Sequence, residues 1–277
     1  MPKQISTNLA IVIALIAFAL GAGVGVLAWI QVSGGSGEAS QSASERAPQL
    51  SLSDSTPASE ATTVPTEAPA EATTAPTEAP AEATPASEAA VPAEAQRLLF
   101  RIQPEGSEAR FLIDEDLRGQ RITVVGKTNQ VGGDIIVDFA NPQNSEVGVI
   151  VINARTLETD NNFRNQALRG QILRSATPAY EFIEFTPSSL EGLPTSAAEG
   201  ESLSFRVTGD LKIIEVVRPV TFEVTLNVQD GVMTGSAKTT VLYKDFNITI
   251  PQVPSVANIS DEVGLEFDFS AQLVDAQ

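Results

Sequence analysis

The side chains of this chain offer little chemistry beyond that of carboxylates. The chain contains no cysteine and no histidine, which excludes thiol nucleophiles, imidazole bases and the usual zinc ligand sets. Two acidic runs, Asp114-Glu115-Asp116 and Asp261-Glu262, raise the question of paired catalytic carboxylates or a calcium site. Neither run has the spacing of a calcium-binding loop, and adjacent strand residues point to opposite faces, so solvated turns are the favoured interpretation. The sequence predicts no catalytic residue, no metal site and no enzymatic activity.

A second polar group lies on a segment with helical spacing. Asp160, Arg164, Asn165 and Arg169 fall on one turn-and-helix unit. Arg164 and Asn165 are candidates to contact the polar head group of a ligand. A helix N-cap at Asp160 with surface charges beside it explains the same residues, and it is the favoured alternative.

The chain is strongly acidic, with a formal net charge of -18 at pH 7. Nucleic acids and anionic lipid surfaces attract basic proteins, so this charge argues against both as electrostatic partners. Because there is no cysteine, disulfides cannot indicate the compartment, and targeting signals must do so.

The elements that would position these side chains are predicted to be β-strands. The run from Val263 to Leu273 alternates apolar and polar residues without a break, and the run from Val220 to Val228 does the same. Because successive strand residues point to opposite faces, each run has one apolar and one solvated face. The pattern indicates a half-buried antiparallel sheet and leaves open what its apolar side encloses.

The predicted folded domain comprises residues 97–275. Asp230-Gly231 between two alternating runs predicts a hairpin, and only Asn161 to Leu173 has helical spacing, with Asp160 as its N-cap. About eight antiparallel strands in about 175 residues suggest a closed barrel or a sandwich. An eight-stranded barrel is just wide enough to be filled by side chains or to hold one small ligand. The strands are predicted over residues 109–114, 121–125, 134–139, 146–153, 180–186, 202–212, 217–228, 233–243 and 263–273.

The amino-terminal part is predicted to cross a membrane once. Residues 9–30 contain no charged residue and are long enough to span a hydrocarbon core of about 30 Å. Lys3 precedes this run and Trp29 lies at its outer boundary, so residues 1–8 are expected in the cytoplasm and the rest outside it. We predict an uncleaved signal anchor in a bacterial cytoplasmic membrane, with an extracytoplasmic carboxyl-terminal domain. Gly21 and Gly25 could let two helices approach, so a dimer is possible.

Residues 31–96 are predicted to be a disordered linker. The segment is rich in Ser, Ala, Pro, Thr and Glu, and the sequence PTEAPAEAT at residues 65–73 recurs at 76–84. Such a composition has too little apolar surface to offset the entropy lost on ordering. We therefore expect a tether between the membrane helix and the folded domain.

Several short motifs resemble those of the YceI-like domain family, in the same order along the chain. Residues 153–165 (NARTLETDNNFRN) resemble the stretch that leads into the family's helix. Residues 181–185 (EFIEF) resemble one of its strands, and 209–213 (GDLKI) with 218–222 (RPVTF) resemble its hairpin. Residues 244–248 (KDFNI) resemble its later turn, and 263–273 its closing strand.

Three features depart from the family pattern. Residues 107–111 (SEARF) lack the histidine that the family often carries near its first strand, so any head-group contact made by that histidine does not transfer. Glu215 and Asn247 stand where the family's two turns have glycine; Asn tolerates a left-handed backbone better than Glu does. We therefore expect the first hairpin to use another turn.

The resemblance implies an all-β, eight-stranded antiparallel lipocalin-like barrel with one short helix, which holds a long isoprenoid chain such as a quinone or polyprenyl tail. We expect no other cofactor, and the acidic charge argues against a nucleic-acid partner. The alternative is a structural or interaction module of the cell envelope whose barrel has a filled core. The candidate lining residues are Phe111, Phe139, Phe163, Leu168, Ile172, Phe182, Phe185, Phe205, Phe222, Leu265, Phe267 and Phe269.

Overall fold

The computed structural model describes residues 35–52 and 97–274. The predicted membrane helix at residues 9–30, the amino-terminal residues 1–8 and most of the predicted linker lie outside these described residues. Within 35–52 and 97–274, no helix is both long and apolar enough to cross a bilayer.

The fold is a curled antiparallel sheet in the form of a half-barrel, hereafter called the barrel, with one short α-helix in the domain. A further short helix, α1 (Ala43–Arg46), precedes the domain. Helix α2 (Asn162–Ala167) lies between the sixth and seventh strands. The strands are β1 (Arg97–Leu117), β2 (Gln120–Thr128), β3 (Val131–Gly132), β4 (Asp134–Asp138), β5 (Glu146–Val147), β6 (Ile150–Asn153), β7 (Phe182–Glu191), β8 (Ser202–Ile213), β9 (Val216–Gln229), β10 (Val232–Leu242), β11 (Val256–Ala257) and β12 (Glu262–Leu273).

The sheet curls so that the segment containing β3 and β4 pairs with strands at both of its ends. Its strand order is β3-β6-β7-β8-β9-β10-β12-β1-β4-β5, and β2 and β11 pair with β1 outside this path. β3 pairs with β6 and β4 pairs with β1, although only Gly133 separates β3 from β4 in the chain. The Ile102 amide donates to the Gly133 carbonyl at 3.0 Å. The two ends of the sheet path therefore meet at this segment, which we call the seam.

Residues 97–274 form twelve strands rather than the eight predicted. The largest difference is β1, whose 21 residues begin at Arg97 and not at Ala109. The alternation of β1 is interrupted because its register with β12 shifts between Gln103 and Glu108, and such bulges disturb the period-two pattern. β1 also continues through Asp114-Glu115-Asp116, so the prediction of a solvated turn there is wrong.

The turns follow the backbone preferences of their residues. The predicted hairpin at Asp230-Gly231 is confirmed, with φ of 53° and 74°, as a two-residue hairpin turn requires. At the β8–β9 turn the positive φ, 59°, falls on Ile214 rather than on Glu215. Asn247 has a left-handed φ of 55°, which asparagine tolerates.

The helical segment begins one residue later than predicted and changes its winding. Asn161, not Asp160, is the N-cap of α2, because its side chain accepts hydrogen bonds from the amides of Phe163 and Arg164. Asp160 instead pairs with Arg164 at 2.5 Å. After Ala167 the chain continues as a π-helical turn, Leu168–Ile172.

The barrel has two distinct ends. The end that carries α2, the β1–β2 and β8–β9 turns and residues 243–261 is called the helix end. Arg164 on α2 pairs with Glu115 near the end of β1, and Arg174 pairs with Glu215 in the β8–β9 turn at 3.6 Å. The far end carries the β9–β10 turn at Asp230-Gly231 and the start of β1.

Residues 35–52, hereafter the strap, lie against the outside of the barrel along the seam. Ala43 is 1% exposed and packs with Val151, and Val149 and Phe182 lie against this small cluster. The prediction of a disordered linker over residues 31–96 therefore does not hold for residues 35–52. The strap docks mainly through small residues and backbone atoms, and the Leu50 side chain lies against Gly148.

Gly132 makes this docking possible. A Cβ atom at residue 132 would lie 2.6 Å from the Ser44 backbone nitrogen and 2.7 Å from the Ala43 carbonyl carbon. Helix α1 thus packs directly on the backbone of β3, and any side chain at this position would push the strap away.

Candidate functional site

A cavity of about 290 Å³ lies inside the barrel. This volume is at the lower end of the range found for small-molecule sites. Its walls come from the inward faces of most strands, from α2 and the turn after it, and from residues 243–261. The lining is almost wholly aliphatic and aromatic, so the interior can shelter an apolar group from water.

Nine of the predicted lining residues border the cavity: Phe111, Leu168, Ile172, Phe185, Phe205, Phe222, Leu265, Phe267 and Phe269. Two aromatic pairs form within this set. The Phe185 and Phe222 rings meet edge to face with centroids 5.0 Å apart, and those of Phe267 and Phe269 lie 5.4 Å apart. The alternation of the closing strand β12 thus places Leu265, Phe267 and Phe269 together on the cavity side.

The helical segment covers the cavity with a single face. Arg164, Leu168 and Ile172 all border the cavity, and residues four apart lie on the same side of a helix. Leu168 is 6% exposed. Phe163 lies off this face and is 59% exposed. The prediction that Phe163 lines the cavity is therefore wrong.

Phe139 and Phe182 do not border the cavity either. On β7, Ile183 and Phe185 point inward, and Phe182, an odd number of residues away from Phe185, points to the opposite face. There its ring lies beside the strap, with the Arg46 guanidinium 5.9 Å from its centroid. Phe139 follows the last residue of β4, so the alternation that places Ile135 and Val137 inward has ended.

Aliphatic side chains form the larger part of the lining and were not singled out from the sequence. The sequence does indicate them, because they occupy the same alternating positions along each strand as the other inward-facing residues. Those that contribute from the central strands include Val207, Leu211, Ile213, Val224 and Leu226. An emphasis on phenylalanine missed them.

An ion pair stands on the cavity wall at the helix end. Arg164 donates from Nη2 to Glu115 at 2.9 Å and from Nη1 to Asp160 at 2.5 Å. Glu115 is 7% exposed. Asn165, the other head-group candidate, is buried and does not border the cavity. Its side-chain oxygen accepts hydrogen bonds from the Thr159 amide and hydroxyl, both at 2.7 Å, so its role is local.

A second ionic group, on β1 and β12, is neutralised within the sheet. Arg110 and Glu266 also border the cavity, but they pair with one another at 2.8 Å, and Arg110 contacts Asp268 at 2.7 Å. The hydrogen bond from Arg110 lowers the pKa of Glu266, and Glu266 in turn raises the pKa of Arg110. These charges stabilise each other across neighbouring strands.

Comparisons with known proteins agree on the fold. The family model described as the YceI-like domain matches residues 100–271. The structure of BcnA from Burkholderia cenocepacia is similar with a TM-score of 0.50 at 18% identity, over 62% of this chain and 99% of that one. A polyisoprenoid binding domain from Saccharophagus degradans is similar with a TM-score of 0.51 at 16% identity, over 64% of this chain and 99% of that one. A search of curated proteins finds no match to the chain.

Proposed function

The chain belongs to the YceI-like domain family through residues 100–271, and we propose that its barrel binds an amphiphile with an isoprenoid tail. In this proposal the protein sequesters or carries a quinone or polyprenyl lipid. The apolar run at residues 9–30 tethers it to the bacterial cytoplasmic membrane, with the barrel on the extracytoplasmic side. The proposed role is binding without a catalytic step.

The observation that carries this proposal is the apolar cavity. Removing a methylene group from water contributes about 0.8 kcal/mol, so a tail of several isoprene units supplies most of the binding free energy by burial alone. Few polar contacts are then needed. The alternative considered from the sequence, a structural module with a filled core, would contain no such cavity.

The ligand class is supported by a structural relative. The domain from Saccharophagus degradans is described as polyisoprenoid binding, and its fold resembles this one. Because the lining of the cavity is almost wholly apolar, a flexible isoprenoid tail is a suitable occupant. We place the polar head of the lipid at the helix end, beside Arg164 and Glu115, where charged side chains reach the cavity wall.

Organic-solvent extraction of the purified protein, followed by mass spectrometry, tests this function. We expect an isoprenoid lipid in the extract, or uptake of an added prenyl quinone by protein that has been stripped of lipid. Recovery of no lipid together with no uptake would contradict the proposal.

A filling substitution tests whether the lipid occupies the cavity. Ala237 borders it, so Ala237→Phe should block part of the space and weaken binding of a prenyl quinone about tenfold or more. Ser236→Phe is the matched control, because the adjacent strand residue points to the opposite face. Equal binding by the two variants in a fluorescence titration would place the lipid elsewhere.

A further inference from the structure

The strap runs from the helix end of the barrel towards its far end. At its start, a Cβ atom on Gly37 would lie 3.0 Å from Nη1 of Arg169, in the turn after α2. Further along, the Ser40 amide donates to Glu181 at 2.8 Å. Near its end, the Leu50 amide donates to Asp134 at 3.0 Å, and Asp134 pairs with Arg101 close to the start of β1.

The docking contacts of the strap are specific. Glu181 is 1% exposed. From the barrel, its carboxylate accepts a hydrogen bond from Asn153 and pairs with Arg155, each at 2.9 Å. From the strap, it accepts hydrogen bonds from the amide and hydroxyl of Ser40. Arg46 pairs with Glu184 at 3.0 Å. A buried carboxylate that accepts hydrogen bonds from both the strap and the barrel fixes the position and direction of the strap.

This direction determines where the chain leaves the barrel. Residue 35 lies at the helix end, beside Ala176, and the apolar run predicted to cross the membrane ends at Ile30. Five peptide steps span about 17 Å at most. By contrast, the residues on either side of 53–96, the end of the strap and Arg97, both lie towards the far end. The longer part of the predicted linker therefore does not separate the barrel from the membrane.

The helix end also exposes large apolar side chains. Phe163 is 59% exposed on α2, Val217 is 46% exposed after the β8–β9 turn, and Leu242 is 41% exposed at the end of β10. Val253, in the connection between β10 and β11, is 44% exposed. Several large apolar side chains exposed at one end of a fold indicate an interaction surface, and an aromatic ring among them favours the membrane interface.

We propose that the strap holds the helix end against the membrane, where Phe163, Val217, Leu242 and Val253 dock on the bilayer. Resting on the function proposed above, this orientation lets an isoprenoid lipid pass between the bilayer and the cavity without crossing water. Because the chain is acidic, anionic lipids do not attract it. Docking therefore depends on insertion of the apolar side chains into the bilayer. A zwitterionic bilayer is sufficient.

Single-cysteine labelling of the full chain tests the orientation, because the chain contains no cysteine of its own. Val253→Cys at the helix end and Val232→Cys at the far end form a matched pair, with exposures of 44% and 39% in the unmodified protein. Each variant is labelled with an environment-sensitive dye and reconstituted into vesicles of phosphatidylcholine. We expect the emission of the label at 253 to shift to shorter wavelength and that of the label at 232 to remain aqueous.

A strap variant separates orientation from tethering. Ala43→Glu introduces a charge where the side chain is buried, which should release the strap; Ala39→Glu, at an exposed position, is the control. With Ala43→Glu we expect the label at 253 to return to an aqueous spectrum, while the protein still floats with the vesicles and still takes up a prenyl quinone in detergent.

Three results would overturn the proposal: an aqueous label at 253 with the strap intact, a shifted label at 232, or a full chain that does not float with vesicles. None of them depends on lipid in the cavity. The proposed function fails separately, through the extraction and uptake measurements.

Discussion

At the scale of single residues, the most consequential side chain is Glu115, which the sequence alone placed in a solvated turn. The structure buries it in β1 and pairs it with Arg164 of α2. The pairing could not be predicted, because the two residues are far apart in the sequence and nothing local indicates that α2 covers the end of β1. Arg164 was proposed from the sequence as a head-group candidate; the structure places it on the cavity wall, and its contact with a head group stays a prediction.

Glu115→Gln should destabilise the fold. The amide keeps the shape of the carboxyl but removes the buried negative charge that pairs with the Arg164 guanidinium, so we expect the free energy of unfolding to fall by about 1–3 kcal/mol. Asp160 is the other partner of Arg164, and its side chain is 82% exposed. Asp160→Asn should therefore lower the free energy of unfolding by at most about 0.5 kcal/mol. Denaturant titration of both variants measures the difference; equal losses would contradict the account.

Glu181 makes the docking of the strap sensitive to acid. Burial alone would raise the pKa of Glu181, but hydrogen bonds from Ser40 and Asn153 and the charge of Arg155 outweigh it and lower that pKa. A lowered pKa in the folded state means that the stabilisation is complete above the usual pKa of glutamate. It is lost as the pH falls through the lowered value.

We therefore expect hydrogen exchange at residues 40–47 to accelerate as the pH falls below the usual glutamate range, after correction for intrinsic rates. In Glu181→Gln the same residues should exchange fast at all pH values, because the new NH2 group faces other donors in either orientation, the Ser40 amide and Asn153 in one and Arg155 in the other. An exchange rate in the unmodified protein that does not change with pH would show that Glu181 does not hold the strap.

At the scale of elements, the strands that alternate cleanly were predicted to within a few residues, and β8, β9 and β12 are the best examples. Alternation of apolar and polar residues indicates a strand with one buried face, and each of these three strands has one such face. β3 and β11 are too short to carry a pattern, and the first half of β1 is broken by a bulge. The strap was missed because composition describes average ordering entropy, whereas its docking depends on one glycine and one buried carboxylate.

The β9–β10 hairpin depends on its turn residues. Gly231 has φ of 74°, so Gly231→Ala should lower the free energy of unfolding by about 1 kcal/mol. Gly264→Ala is the control, since an added Cβ would meet Leu112 at 3.6 Å, an ordinary contact distance. It should be neutral or slightly stabilising, because alanine restricts the unfolded chain. Thermal unfolding distinguishes the two, and an unaffected Gly231→Ala would refute the role of the turn.

At the scale of the whole molecule, the fold class followed from the sequence but the cavity did not. Alternation shows that the sheet has an apolar side, yet the same pattern is compatible with a packed core. Whether facing side chains touch depends on the curvature of the sheet and on the position of the helical segment. Only the three-dimensional structure gives the curvature and the position of the helical segment. In this structure a cavity of about 290 Å³ remains between the facing side chains.

The central claim, that the barrel holds an isoprenoid tail, is tested most directly by chain length. Lipid-free protein is titrated with prenyl quinones that share one head group and differ in the number of isoprene units. We expect the affinity to rise with each unit until the cavity is full and then to level off, since each buried methylene contributes about 0.8 kcal/mol. In Ala237→Phe the plateau should come at a shorter chain. An affinity that does not depend on chain length, or no binding at all, would contradict the account.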